Sequence, residues 1–266
     1  MDKLHLEELL VLLVEPSFTQ QRAIMRQLSQ LGIDQIITAK TGEEALQVMR
    51  GEHPDLAIST LYLSDMTGTD LVHAMRRDSS LADMAFMLIS SETRFRYLDP
   101  IRQAGAVAIL PKPFKSAELR IAMNSVLEYI DPELLKLDSF CPEDLEVLVV
   151  DDSSMARKHI TRVLNTLGIE RISSAKDGRE AVEIIANNYF DLVVTDYNMP
   201  NMDGKELIDH IRSASNQSSI PVLMVTSEEN ENRLAAVQQA GVSAICDKPF
   251  ETSVVRDLIQ KALSEA

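Results

Sequence analysis

Apolar residues in this chain gather into short unbroken runs separated by longer stretches of helical periodicity. Residues 147–150 (VLVV) form a β-branched run without alternation, the pattern of a strand buried on both faces of a parallel sheet. Polar residues follow at once in Asp151 and Asp152. Ser153 or Ser154 is then placed to cap a helix whose Ile160, Val163, Leu164 and Leu167 keep i, i+3, i+4, i+7 spacing and which Gly168 ends. The alternation continues with a strand at 171–174, a helix at about 178–187 and a buried strand at 192–195 that runs into Asp196. Gly204 opens a helix carrying Leu207, Ile208 and Ile211, followed by a strand at 222–225, a helix at 229–240 and a short strand at 244–246. Thr252 is placed to cap a final helix bearing Val255, Leu258, Ile259 and Leu263. Strands alternating with helices in this way predict a doubly wound α/β domain around a parallel sheet.

The same order runs from residues 11–14 (VLLV) to a helix starting near Ser116, because the chain repeats itself without a gap at a shift of 136 residues. Under that shift Lys112 meets Lys248, Ser90 meets Thr226, and Gly32, Gly42, Gly68 and Gly105 meet Gly168, Gly178, Gly204 and Gly241. Such registry means two copies of one domain. The predicted division is a first domain at 1–130, a linker at 131–144 and a second domain at 145–266. Pro132, Pro142 and their acidic neighbours suit a linker, while Leu134, Leu135 and Leu137 fit either docking on a domain surface or extension of the preceding helix.

Charge narrows the partners. With 26 Lys and Arg against 41 Asp and Glu, the net charge of −15 opposes binding to a phosphate backbone, so nucleic acid is not an expected partner. No apolar run reaches the roughly 18 residues of a membrane span, and the acidic, polar start lacks the layout of a signal peptide; no membrane association and a cytoplasmic location are expected. Cys141 and Cys246 have neither paired spacing nor clustered histidines, so both are expected as reduced thiols.

In an open parallel sheet the carboxyl ends of the strands line the site, which predicts that Asp151, Asp152 and Asp196 converge at one edge. Crowded carboxylates repel unless one takes a proton or a cation settles among them, and oxygen donors of this kind suit magnesium.

The runs at 147–153 (VLVVDDS) and 191–204 (DLVVTDYNMPNMDG), with Thr226 after the fourth strand and Lys248, Pro249 and Phe250 after the fifth, resemble the receiver domain of two-component response regulators. The likeness covers nearly all of residues 145–266, and residues 9–130 keep the same frame. It implies a flavodoxin-like five-stranded sheet of order 2-1-3-4-5 in each copy. It also implies that Asp196 accepts a phosphoryl group, with Mg2+ held by Asp152, Asp196 and the backbone carbonyl of Asn198, and Asp151 acting largely through water. Lys248 would pair with a phosphoryl oxygen, aimed by a cis Lys248–Pro249 bond, and Thr226 would swing its hydroxyl onto another. Asn198 and Glu228 fall where the family tunes phosphate lifetime. One departure is Ile245, which stands where many receivers carry an aromatic residue that rotates on activation.

The first copy has different chemistry. Glu15 and Pro16 occupy the places of the metal-binding acids and Thr60 that of the acceptor, a weak nucleophile with no adjacent base in evidence. Asp65, aligned with Asn201, is the nearest substitute acceptor; Ser90 and Lys112 persist and are expected to be structural. A pseudo-receiver is the reading that fits, serving as a dimerising face for a homodimer, a kinase dock or a restraint on the second copy.

The resemblance therefore implies a response regulator without an output segment in this chain, phosphorylated by a sensor histidine kinase or phosphotransfer protein and acting on a separate downstream effector protein. It would catalyse only its own phosphorylation and dephosphorylation. A Mg-dependent phosphohydrolase of the haloacid-dehalogenase type would need a second acid where Asn198 stands, and a flavodoxin-like nucleotide binder would need a glycine-rich loop where residues 151–154 (DDSS) stand. A scaffold with neither copy phosphorylated is the remaining alternative.

Overall fold

Every apolar run named above is a strand in the computed structural model, which describes residues 4–132, 134–135, 141–226, 231–247 and 252–264. The first unit, Met1–Pro132, contains β1 (Val11–Val14), α1 (Phe18–Ser29), β2 (Ile36–Ala39), α2 (Gly42–Glu52), β3 (Leu56–Thr60), α3 (Gly68–Arg77), β4 (Ala85–Ser90), α4 (Phe95–Gln103), β5 (Ala108–Pro111) and α5 (Ser116–Ile130). The second unit, Glu133–Ala266, contains β6 (Glu146–Val150), α6 (Ser154–Thr166), β7 (Arg171–Ala175), α7 (Gly178–Asn187), β8 (Leu192–Thr195), α8 (Gly204–Ala214), β9 (Val222–Thr226), α9 (Glu231–Gln239), β10 (Ala244–Asp247) and α10 (Thr252–Ser264).

All ladders among these strands are parallel, in the orders β2-β1-β3-β4-β5 and β7-β6-β8-β9-β10. These are the doubly wound, flavodoxin-like sheets expected, order 2-1-3-4-5 in each unit. The central strands β1, β3, β6 and β8 are buried on both faces, as their unalternating apolar sequences require. In the second unit Leu148, Val150 and Val193 on the sheet pack with Leu207, Ile208 and Ile211 of α8 and with Val237 of α9.

Matched caps start the helices in both units. Ser17 and Ser153 accept from the third residue on, as do Thr41 and Asp177, and Thr67 and Asp203. Each cap takes one of the amides that a helix start leaves unpaired. One helix start differs from the sequence expectation. Thr252 is the first helical residue of α10 rather than its cap. In the first unit α1 stops at Ser29, with Leu31 half-buried in the turn beyond it. That turn holds Gly32 at φ 91°, and its counterpart Gly168 lies at 95°, a left-handed conformation that a side chain would strain.

After α5 ends at Ile130, Leu135 docks instead of extending it. Leu135 is buried and its amide donates to the carbonyl of Leu167 in the second unit (3.1 Å), while Leu134 is exposed; Leu137 lies outside the described residues.

Each unit also carries a brace that the sequence did not announce. Arg76 of α3 is buried and donates to the carbonyls of Ala82, Met84, Ala104 and Gly105 at 2.9–3.0 Å. Arg212 of α8 holds Ser218, Ile220 and Gly241 in the same manner, at 2.8–3.1 Å. Cys141 is exposed and Cys246 buried. Among the described residues, no helix is long and apolar enough to cross a membrane.

Candidate functional site

Strand register brings the two buried acids of the second unit together. Val150 of β6 is paired with Thr195 of β8, so the next residues, Asp151 and Asp196, leave the sheet side by side at its carboxyl edge. The amide of Asp196 donates to Val150 (2.8 Å) and that of Asp151 to Ala175 (3.2 Å), which fixes both backbones to the ladder before the chain turns away. This edge lies between β6 and β8, where the connections diverge to opposite sides of the sheet and leave a crevice. Asp151 is fully buried and Asp196 nearly so, whereas Asp152 and Asn198 are exposed.

Local hydrogen bonds set the acid loop. One carboxylate oxygen of Asp151 accepts from the amide of Ser153 (2.8 Å), the residue just before α6 begins. Arg157, one turn into α6, reaches back to the carbonyls of Asp151 (2.5 Å) and Asp152 (3.3 Å). Arg157 carries no periodic signal that would mark it from the sequence alone.

Beyond Asp196 the chain must turn closely. The Thr195 hydroxyl donates to the carbonyl of Asp196 (3.0 Å), and the amide of Gly204 donates to Tyr197 (2.9 Å). A Cβ on Gly204 would collide with the Asp196 carbonyl oxygen, and one on Gly68 would lie 2.7 Å from that of Thr60. The paired glycines thus allow α8 and α3 to start directly beneath the acceptor position. Asn201 ties the same loop to α7 by donating to Asp177 (2.7 Å). With the Glu180 amide as the larger influence and Asn201 beside it, the Asp177 carboxyl is held below its usual range.

Thr226 ends β9 fully buried, and Ile245 on β10 is half-buried against the core beneath it. Lys248 and Glu228 lie outside the described residues, as does the Lys248–Pro249 bond. Of the expected site, the structure therefore brings Asp151 and Asp196 together and places Asp152, Asn198 and Thr226 on the same edge. Among the described residues, no three His, Cys, Asp or Glu side chains converge as a ready cation cage. Asp151 and Asp196 leave adjacent strand ends, and Asp152 and Asn198 follow them along the same loops, so this edge offers hard oxygen donors. That set fits magnesium, which takes few protein oxygens and retains several waters.

The first unit resolves the same crevice differently. Glu15, nearly buried, occupies the place of Asp151, and its oxygens are divided between the Ser17 amide (2.9 Å) and the ammonium of Lys112 (3.0 Å). Lys112 also donates to the Gln20 side chain (2.6 Å). Ser90 accepts from the amide of Glu92 (3.0 Å), and Thr60 sits half-buried at the end of β3. Asp65 is committed elsewhere. Its two oxygens accept from the amides of Gly42 and Glu43 at the start of α2, both at 2.9 Å, and these bonds lower its pKa. It serves the helix end that Asn201 and Asp177 serve in the second unit.

Comparison with known proteins gives the same two segments. A family profile described as "Response regulator receiver domain" matches residues 11–124 and 147–260. The chain is similar to chemotaxis protein CheY-3 of Vibrio cholerae serotype O1, 33% identical over 125 residues, which span 47% of this chain and 96% of that one. It is likewise similar to chemotaxis protein CheY of Pseudomonas aeruginosa, 37% identical over 117 residues, 44% of this chain and 94% of the relative. Similar solved structures include CheY4 of Vibrio cholerae, at 31% identity and TM-score 0.42 over 45% of this chain and 98% of that one. A signal receiver domain of a histidine kinase from Syntrophus aciditrophicus matches at 26% identity and TM-score 0.43, over 46% of this chain and 92% of that one.

Proposed function

Since both halves of the chain belong to the response regulator receiver domain family, which makes this protein a two-component response regulator, we propose that its two receivers divide the work. The second unit takes a phosphoryl group on Asp196, and the first is a pseudo-receiver that takes none. The observation that carries this reading is the contrast at one sheet edge: Asp151 beside Asp196 in one unit, Glu15 neutralised by Lys112 in the other.

Asp196 acts as the nucleophile. A carboxylate oxygen attacks the phosphorus of a phosphohistidine on a sensor kinase or phosphotransfer protein; the O–P bond forms, the P–N bond breaks, and the imidazole keeps the electron pair and gains a proton. Bound Mg2+ would neutralise the charge that accumulates as an anionic phosphoryl group meets carboxylates, with Asp152, Asp196 and the Asn198 carbonyl as its protein oxygens and Asp151 acting through water. Arg157 keeps the acid loop in place by holding the carbonyls of Asp151 and Asp152. Gly204 leaves the Asp196 backbone free of a clash. Lys248 supplies a compact positive charge to a phosphoryl oxygen, and the Thr226 hydroxyl turns onto another, which moves the loop after β9. With Ile245 in place of an aromatic side chain, that loop is the switch. Asn198 and Glu228 set the phosphate lifetime by orienting or excluding water. Output passes to a separate protein through the altered surface, and the chain turns over no external substrate.

Intact-mass measurement after incubation with Mg2+ and acetyl phosphate tests this directly. One phosphoryl group is expected per chain, absent in Asp196→Asn and retained in Thr60→Ala. Labelling that survives Asp196→Asn, or two groups per chain, would sink the proposed division. Omission of Mg2+ is expected to abolish labelling.

A further inference from the structure

We propose that the first unit carries a binding site for a small, uncharged heteroaromatic molecule with one N–H donor, in a pocket beside α1. The pocket has a volume of about 460 Å³, within the roughly 300–1,000 Å³ of small-molecule sites. Ile24, Ala23, Pro113 and Phe114 form its apolar wall, and Gln20, Gln27, Ser91 and Lys112 supply its polar atoms.

Two residues distinguish this place from its counterpart under the 136-residue shift. Ala23 stands where the second unit has His159, a large side chain that is buried there. Gln27 stands where the second unit has Val163, which is fully buried. The first unit has therefore lost volume at one position and gained a polar group at the other. The Gln27 carbonyl oxygen is sheltered from solvent and has no hydrogen-bond partner. An acceptor left in that condition is destabilising, and a ligand donor would satisfy it after a modest rotation of the terminal amide. The apolar wall beside this sheltered acceptor selects a flat hydrophobic body bearing an N–H donor.

Charge argues for a neutral ligand. Lys112 lines the pocket, but its ammonium is already paired with Glu15 and bonded to Gln20. An anion would have to compete with that carboxylate. A neutral ligand stacks against Phe114 and Ile24 and leaves the pair intact.

Indole and benzofuran test the site, since they share a shape and differ in the N–H. Each is titrated into the full-length 15N-labelled protein and followed by amide chemical shifts. The proposal expects saturable indole shifts clustered on α1 and residues 112–114, with indole binding about fivefold more tightly than benzofuran, as one hydrogen bond would give. Ala23→His and Gln27→Val copy residues that the second unit carries at the same places in the same fold. Ala23→His is expected to weaken indole at least tenfold, and Gln27→Val to bring indole to the level of benzofuran. Absence of saturable shifts, equal affinity for the two probes, or shifts that Ala23→His leaves unchanged would each overturn the proposal.

Discussion

The ammonium of Lys112 lies 3.0 Å from the Glu15 carboxylate, across 97 residues of sequence, in the crevice where the second unit places Asp151 beside Asp196. The pair supplies within the chain the charge balance that the other crevice leaves to a cation. Glu15→Gln is expected to destabilise the first unit by about 2 kcal/mol, because it strands a lysine that is largely shielded from water. The double variant Glu15→Gln with Lys112→Met should recover most of that loss. Chemical denaturation of the four proteins in a double-mutant cycle measures the coupling, and a coupling near zero would remove the pair from the explanation.

The two arginine braces should differ in weight. Arg76 holds the carbonyls of Ala104 and Gly105, which are buried, whereas Arg212 holds Gly241 and Ser218, which are exposed. Arg76→Ala is expected to cost about 3 kcal/mol and Arg212→Ala about 1 kcal/mol, since water reaches the carbonyls that the second truncation frees. Urea midpoints of each unit's transition check the order. Equal losses would mean that burial of the acceptors does not decide the matter.

Gly204→Ala puts a methyl group against the Asp196 carbonyl. Backbone has to move to relieve the contact, so a loss of about 2 kcal/mol in the second unit and slower phosphorylation are expected together. Gly68→Ala strains the first unit at its Thr60 carbonyl but should leave phosphorylation of the second unchanged. Paired melting and labelling measurements separate the two effects.

Acid should weaken the α2 start through Asp65. Its folded pKa is lowered, first by the Gly42 amide and then by that of Glu43. A depressed carboxyl contributes stability that is fully present above the unfolded-state value near 3.9 and is lost as pH falls through the folded value. Asp65→Asn is therefore expected to reduce stability of the first unit at neutral pH, by about 1 kcal/mol at most for so exposed a group, and to flatten its decline below pH 4. Denaturation midpoints between pH 2 and 7 give both slopes; parallel curves would show that Asp65 contributes nothing there.

The alternation of elements was legible because strands buried on both faces must be apolar throughout, as residues 147–150 and 192–195 are. Adjacency of Asp151 and Asp196 followed once parallel strands ended at matched positions. Helix ends were less legible. Thr252 lies within α10 rather than ahead of it, since a capping residue fixes a boundary only to within a turn. The Glu15–Lys112 pair, the forked bonds of Arg76 and the grip of Asp65 on α2 left no local trace. Each joins side chains to groups brought near only by folding. In the sequence Lys112 is one of the positions both copies share, and its partner is visible only once β1 and β5 are assembled on the same sheet.

The docking of Leu135 on Leu167 has a practical consequence for dissecting the molecule. Leu134 and Pro142 also line the turn at Gly168, so these residues with Leu135 roof the end of α6. A fragment cut at residue 145 would strip that roof and bare an oily patch, inviting aggregation that could be mistaken for a signalling dimer. One begun ahead of Leu134 would keep its own cover.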